Sequence, residues 1–319
     1  MVKKYMLNEN LLPLIIGPEI EQDNSFQFIY KWLSENKSWF SEKLGEHGAV
    51  LLRGFSINSI DEFSSICKVF QSDLKDYKGG NSPRTLLERN VYTSTDYSNT
   101  REIIQHQELS YALDPPRYLF FYCDCPADIG GETPITDCRI FLRNLKSDIK
   151  EKFKKKKIKY IQNLPENNGF GRTWKETFET ETQTEVEQAL IHMDSRFYWK
   201  DDGTLHWEQV RPGISVHPQT KEEVWLNQAD QWHISQFDEE TQEAFALVFK
   251  DPNNYPLYSM WEDNTEFDVE DFYEIKRLFD QLCVKNPWKK GDVLILDNLL
   301  VSHGRMPFEG DRKIFVAMG

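Results

Sequence analysis

The sequence is short of cysteine, of positive charge and of long apolar runs, and each shortage closes a class of function. Five cysteines stand in 319 residues, at positions 67, 123, 125, 138 and 283. They are too few and too scattered for the disulfide framework of a secreted domain. Cys123 and Cys125 would share one face of a strand, but structural zinc wants a second pair and none exists, so they read as reduced core residues. Lys and Arg number 38 against 52 Asp and Glu, a formal net charge of −14. Such a surface repels a phosphate backbone and excludes nucleic acid as a partner. No run of about 18 apolar residues occurs, as a spanning helix requires. The opening MVKKYMLNENLLPLIIGPEI lacks the small-residue cleavage site of a signal peptide. A soluble, reducing, cytoplasmic setting is expected. HExxH is absent, as is any close histidine pair, which argues against a zinc hydrolase. With no internal repeat and no low-complexity linker, residues 1–319 are expected to form a single domain.

What is present is apolar material, 39% of residues with 13% aromatic, enough for a large core. Residues 48–54 (GAVLLRG), 117–125 (RYLFFYCDC), 291–297 (GDVLILD) and 312–318 (RKIFVAM) read as strands. Gly130-Gly131-Glu-Thr-Pro-Ile-Thr136 begins another, and residues 213–228 read as two short strands around a turn. Helical spacing marks 60–70, 239–249 and 268–284, and Asp137 is placed to cap a helix over 138–154. Residues 71–104 are polar and rich in turn formers, the character of an active-site lid. Residues 160–210 show weak periodicity and read as an insertion between core strands. Without a βαβ alternation, a doubly wound parallel sheet is excluded. The expectation is a mainly β chain with decorating helices (α+β), a jelly-roll or cupin-like barrel.

On a strand, residues i and i+2 face the same way, so His-x-Glu or His-x-Asp delivers an imidazole and a carboxylate together. Two imidazoles and one carboxylate on one face of a metal are the ligand set of non-haem iron(II) oxygenases. Seven histidines and 52 acids in 319 residues give about one such match by chance. Three occur: His106-Gln-Glu108, His192-Met-Asp194 and His206-Trp-Glu208. Only the first sits beside a convincing strand; the others lie in the least regular part of the chain and read as structural histidines. A third ligand should come from a distant strand end, which Asp297-Asn-Leu-Leu-Val-Ser-His303 offers. Arg312 heads the last strand. It either faces inward to bind an anion, as a buried guanidinium must, or pairs at the surface with Glu309 or Asp311.

Taken in order, GAVLLRGF (48–55), GGNSPRT (79–85), VYTSTDY (91–97), HQELSYA (106–112), CPADIGGETPITD (125–137), HPQTKEEVWLNQ (217–228) and the segment 291–319 resemble the TauD/TfdA superfamily of taurine dioxygenase-like oxygenases. The closer resemblance is to its SyrP-like, clavaminate synthase-like branch. The resemblance implies a double-stranded β-helix, with iron(II) held by His106, Glu108 and His303. It implies 2-oxoglutarate gripped by Arg312 with help from Thr133, and O2 as the other cosubstrate. Decarboxylation of 2-oxoglutarate to succinate would be coupled to hydroxylation of an unactivated carbon, with desaturation or epoxidation as alternatives. Glu108 speaks against halogenation, for which that position carries a small non-ligand residue. Asn81, Arg84, Ser94, Arg211, Trp225 and Asn227 are the implied substrate contacts; for Arg84 and Arg211 the choice is between a substrate carboxylate and loop-ordering bonds. The branch implies an amino-acid substrate in secondary metabolism such as antibiotic biosynthesis, either free or tethered to a peptidyl carrier protein. Membranes are not implied, and a homo-oligomer is allowed. Residues 150–159 (KEKFKKKKIK) form the dense basic run, either a docking point for an acidic carrier or a solvated helix face. A jelly-roll binding protein without catalysis is the competing reading.

Overall fold

The strand Tyr118–Cys125 is apolar in nearly every position because both of its faces are covered. In the computed structural model, which describes residues 1–6, 12–76, 84–88, 90–94, 97–167 and 171–319, it is the centre of an eight-stranded sheet. The order runs Val2–Met6, Leu14–Pro18, Ala49–Leu52, Val293–Asp297, Tyr118–Cys125, Lys313–Met318, Val91–Thr93 and Leu86–Glu88. Neighbours are antiparallel except Leu14–Pro18 against Ala49–Leu52. The two-residue period divides this sheet between two cores. Phe120, Tyr122, Val293 and Ile295 face helices Phe26–Glu35, Lys37–His47 and Ile60–Phe70. Leu119, Phe121, Leu294 and Val316 face the other way, toward helices Cys138–Asn144 and Val269–Leu282. The Ala49–Leu52, Tyr118–Cys125, Val293–Asp297 and Lys313–Met318 strands fall where the sequence puts them.

Two expectations change. The helix over 138–154 is two helices, Cys138–Asn144 and Ser147–Lys155. Asp137 caps the first through Arg139 N and Ile140 N, but Leu145 turns extended (φ −65, ψ 138) and buries its side chain, so the second must start anew. The stretch 160–210 hides two full strands. Lys157–Leu164 and Leu205–Pro212 pair antiparallel over eight positions within a four-stranded sheet completed by Arg196–Trp199 and Leu257–Trp261. The alternation is invisible because Lys159, Gln162 and Asn163 are buried alongside the apolar residues; Asn163 Nδ2 donates to Asn253 O and Tyr255 O. Residues 171–195 lie outside this sheet, around a small core of Trp174, Phe178, Val186 and Leu190.

The basic run is met by acids: Lys152 by Asp271 (2.7 Å), Lys154 by Glu223 (2.5 Å), Lys155 by Glu151 (3.0 Å) and Lys156 by Asp263 (2.8 Å). That favours the solvated face over a cationic docking patch. No helix among the described residues is long and apolar enough to cross a membrane. Of the lid segment 71–104, residues 77–83, 89, 95 and 96 lie outside the described residues.

Candidate metal centre and its pocket

A third sheet, of three strands, brings remote histidines face to face. Val301–Arg305 lies between Ile103–His106 and Ile135–Asp137, with His303 directly opposite His106. Facing residues of an antiparallel pair project to the same side, and the two imidazole centroids are 4.4 Å apart. A register shift follows between His303 and Arg305, at Gly304. A Cβ at Gly304 would stand 2.5 Å from Ile103 O, so only glycine admits this approach.

Glu108 completes the cluster: one ligand atom from each of His106, Glu108 and His303 lies within 4.8 Å of the others. The strand itself ends at His106, however. Glu108 is delivered by a turn in which Leu109 adopts the left-handed conformation, φ +52. The expectation that one strand face presents both ligands is therefore corrected. Buried Asn298 holds the turn instead, accepting from Glu108 N (2.7 Å) and donating to Glu108 O (2.9 Å). Arg84 Nη2 lies 2.5 Å from Glu108 Oε2, with both side chains about 5% exposed or less.

The imidazoles are set up as neutral donors of a lone pair. Burial holds His303 well below its ordinary pKa, with His106 and Arg84 adding to the effect. Burial also lowers His106, Arg84 adds to this, and Glu108 and Ile104 O oppose it. Ile104 O stands 3.0 Å from His106 Nδ1 and requires a proton there, which leaves Nε2 as the lone-pair nitrogen. His303 Nδ1 is buried without a hydrogen-bond partner among the described residues, and its Nε2 is 3.8 Å from Glu108 Oε2.

The cluster opens into a pocket of about 410 Å³, counting space open to solvent at its mouth. Ile103, Phe121, Ile314 and Val316 make its apolar wall, and Arg84, Ser94, Thr133, Arg305 and Arg312 its polar groups. Arg312 Nε donates to Gly131 O (2.9 Å) and Nη1 to Ser94 Oγ (3.3 Å). No carboxylate among the described residues pairs with it, so the surface alternative with Glu309 or Asp311 is not what forms. Burial and the neighbouring Arg305 lower its pKa to about 10, still protonated at neutral pH. Arg305 spends its guanidinium on the carbonyls of Tyr97, Ser98 and Arg101. Trp288 Nε1 donates to Thr133 Oγ1 (3.2 Å), which turns the threonine's own proton away from the indole.

Other sequence candidates stand elsewhere. His192 is exposed at a helix end. His206 is buried in the four-stranded sheet between Asn163 and Glu208, stacked on Tyr198. Arg211 donates to Val210 O and Met193 O, Trp225 packs between Phe141 and Phe153, and Asn227 bridges Gly213 O and Ala229 N. None of these three lines the pocket. Asn81 lies outside the described residues. Asn298 and Trp288 carry no sequence signal beyond their place in the segments around His303.

Residues 9–318 match the family described as taurine catabolism dioxygenase TauD, TfdA family. The dapdiamide synthesis protein DdaC of Enterobacter agglomerans is 34% identical over 277 residues, 87% of this chain and 83% of that protein. A clavaminate synthase-like protein of Arabidopsis thaliana is 28% identical over 294 residues, 90% of this chain and 86% of that protein. Among solved structures, PvcB, an iron, α-ketoglutarate-dependent oxygenase from an isonitrile synthetic pathway, superposes with a TM-score of 0.52 at 15% identity, covering 96% of this chain and 84% of PvcB. That likeness speaks to the fold.

Proposed function

The chain belongs to the TauD, TfdA dioxygenase family, and from that premise we propose that it is an iron(II)- and 2-oxoglutarate-dependent oxygenase acting on an amino acid or a carrier-bound aminoacyl group, on the double-stranded β-helix of that family. The carrying observation is the convergence of His106, Glu108 and His303 within 4.8 Å beside a pocket lined by both histidines and by Arg312, which has no carboxylate partner among the described residues. The donor set fits iron(II): two neutral imidazoles and one carboxylate, with an unsatisfied buried nitrogen on His303. When bound, iron and 2-oxoglutarate supply the oxidant for a carbon–hydrogen bond.

The chain's own residues bind, orient and exclude. His106, Glu108 and His303 hold the metal. Arg312 binds the distal carboxylate of 2-oxoglutarate, its Nη2 left over after Gly131 and Ser94 are served, and the Thr133 hydroxyl donates to the same anion. Phe121, Ile103, Ile314 and Val316 keep water from the reacting atoms. Arg84, beside Glu108, and Ser94 are the pocket groups nearest to hand for a substrate's polar end. DdaC, named for dapdiamide synthesis, supports a place in secondary metabolism, and hydroxylation is the expected outcome.

Anaerobic addition of iron(II) and 2-oxoglutarate should raise the weak visible charge-transfer band of the chelate, and aeration should release succinate. His106→Ala should abolish the band and His192→Ala should keep it. The opposite pair of results sinks the assignment. Mass spectrometry against amino acids, free and carrier-bound, then identifies the substrate.

A further inference from the structure

The strand ladder that fixes His106 gives no support to Glu108. Pairing between Ile103–His106 and Val301–Arg305 runs from His106 back toward Ile103, away from Glu108. A backbone leaving a sheet in a buried place must find other partners for its N–H and C=O. For Glu108 both are found in one side chain, Asn298, which accepts at 2.7 Å and donates at 2.9 Å. The same Nδ2 reaches Pro116 O at 2.8 Å, so the amide also pins the far side of the turn that contains Leu109 at φ +52.

Asn298 is itself held. It is fully buried, its N–H donates to Arg117 O at 2.7 Å, and the preceding Asp297 is locked by Arg117 and by His217, each at 3.1 Å. Three residues past Asn298 the chain enters the strand that carries His303. One side chain thus ties the segment bearing the carboxylate to the segment bearing the third imidazole. Asparagine is matched to the task, since it offers a donor and an acceptor in one plane, like a strand residue. Aspartate would set a carboxylate against two carbonyl oxygens, and alanine would leave three backbone groups without partners.

We propose that Asn298 is a positioning residue for the metal, setting the distance between Glu108 and the histidine pair; this rests on the reading of His106, Glu108 and His303 as the metal ligands. Outer partners of this kind are worth 10- to 100-fold in metal affinity.

The test is an anaerobic equilibrium titration of the full chain with iron(II), and with manganese(II) as a redox-silent probe, beside melting of the metal-free protein. Asn298→Ala should raise the metal dissociation constant about 10- to 100-fold while 2-oxoglutarate, titrated at saturating metal, binds as in the wild type. Asn298→Asp keeps the volume and one acceptor, and should weaken metal binding in the same direction if the alanine variant does not fold. Asn163→Ala removes a comparably buried, doubly bonded amide from the four-stranded sheet and should lower the melting temperature without moving metal affinity. Loss of melting temperature with a wild-type metal constant in both Asn298 variants overturns the proposal alone. A wild-type protein that binds neither ion overturns the metal reading and the proposal together.

Discussion

Arg312 is defined by its surroundings more than by its type. Gly131 and Ser94 hold two of its nitrogens, Phe308 lies under it at 5.6 Å, and no carboxylate among the described residues meets it. Arg312→Met keeps the length and removes the charge. It should weaken 2-oxoglutarate binding by about 2–5 kcal/mol, the usual cost of truncating a buried charged partner, with metal affinity unchanged in the same titration. Gly131 sits at φ +71, and a Cβ there would fall 3.0 Å from Arg312 Cδ and 3.1 Å from its Nε. Gly131→Ala should therefore cost about 1–2 kcal/mol in stability and raise KM for 2-oxoglutarate, because the new methyl displaces the guanidinium. An unchanged KM would separate glycine's turn role from any role in aiming Arg312.

At the scale of elements, Asp137 joins three of them. It ends the strand Ile135–Asp137 opposite Val301, caps the helix Cys138–Asn144, and grips Arg139 through both carboxylate oxygens. Arg139 in turn donates to Gly45 O and Glu46 O, at the end of the helix Lys37–His47. Asp137→Ala should destabilise by about 3–5 kcal/mol, as for a buried pair broken on one side. Asp137→Asn retains the caps and should lose less. Urea midpoints with an unchanged m-value check both. By contrast, the helix Glu239–Phe249 forms where its spacing predicts but buries none of its residues fully, leaving Leu247 79% exposed. Leu247→Ala should be nearly neutral to stability.

For the molecule as a whole, the buried histidines set how stability responds to acid. Burial lowers His233 from 6.5 to about 4. Between those values the unfolded chain binds the proton and the folded chain does not, so stability falls as pH drops from 6.5 toward 4. His106 and His303 act in the same direction in the metal-free protein. Asp230 opposes them: desolvation raises it from 3.8 to about 6, and the folded state then takes the proton first. The total curve mixes these signs, so a difference is the cleaner measure. His233→Gln should gain stability relative to wild type by up to about 3 kcal/mol as pH falls from 6.5 to 4. A constant offset across that range would mean His233 is not held neutral.

The strands at 49–52, 118–125, 293–297 and 313–318 are legible in the sequence because a strand buried on both faces needs an unbroken apolar run, which is a local property. The candidacy of His106, Glu108, His303 and Arg312 is legible too, from residue type and spacing. What sequence could not supply is distance. Sequence context prefers one of the three His-x-acid motifs, but strand pairing is what sets His303 across from His106, with His192 in solvent and His206 inside another sheet. The strands Lys157–Leu164 and Leu205–Pro212 stay hidden because buried polar residues interrupt the apolar pattern, Asn163 among them, satisfied by carbonyls some 90 residues along the chain. The same holds for Asn298: an amide is ordinary in any sequence, and its meaning comes from the Glu108 backbone, 190 residues away, that it reaches. Local pattern selects elements; only tertiary packing decides which donors and acceptors meet.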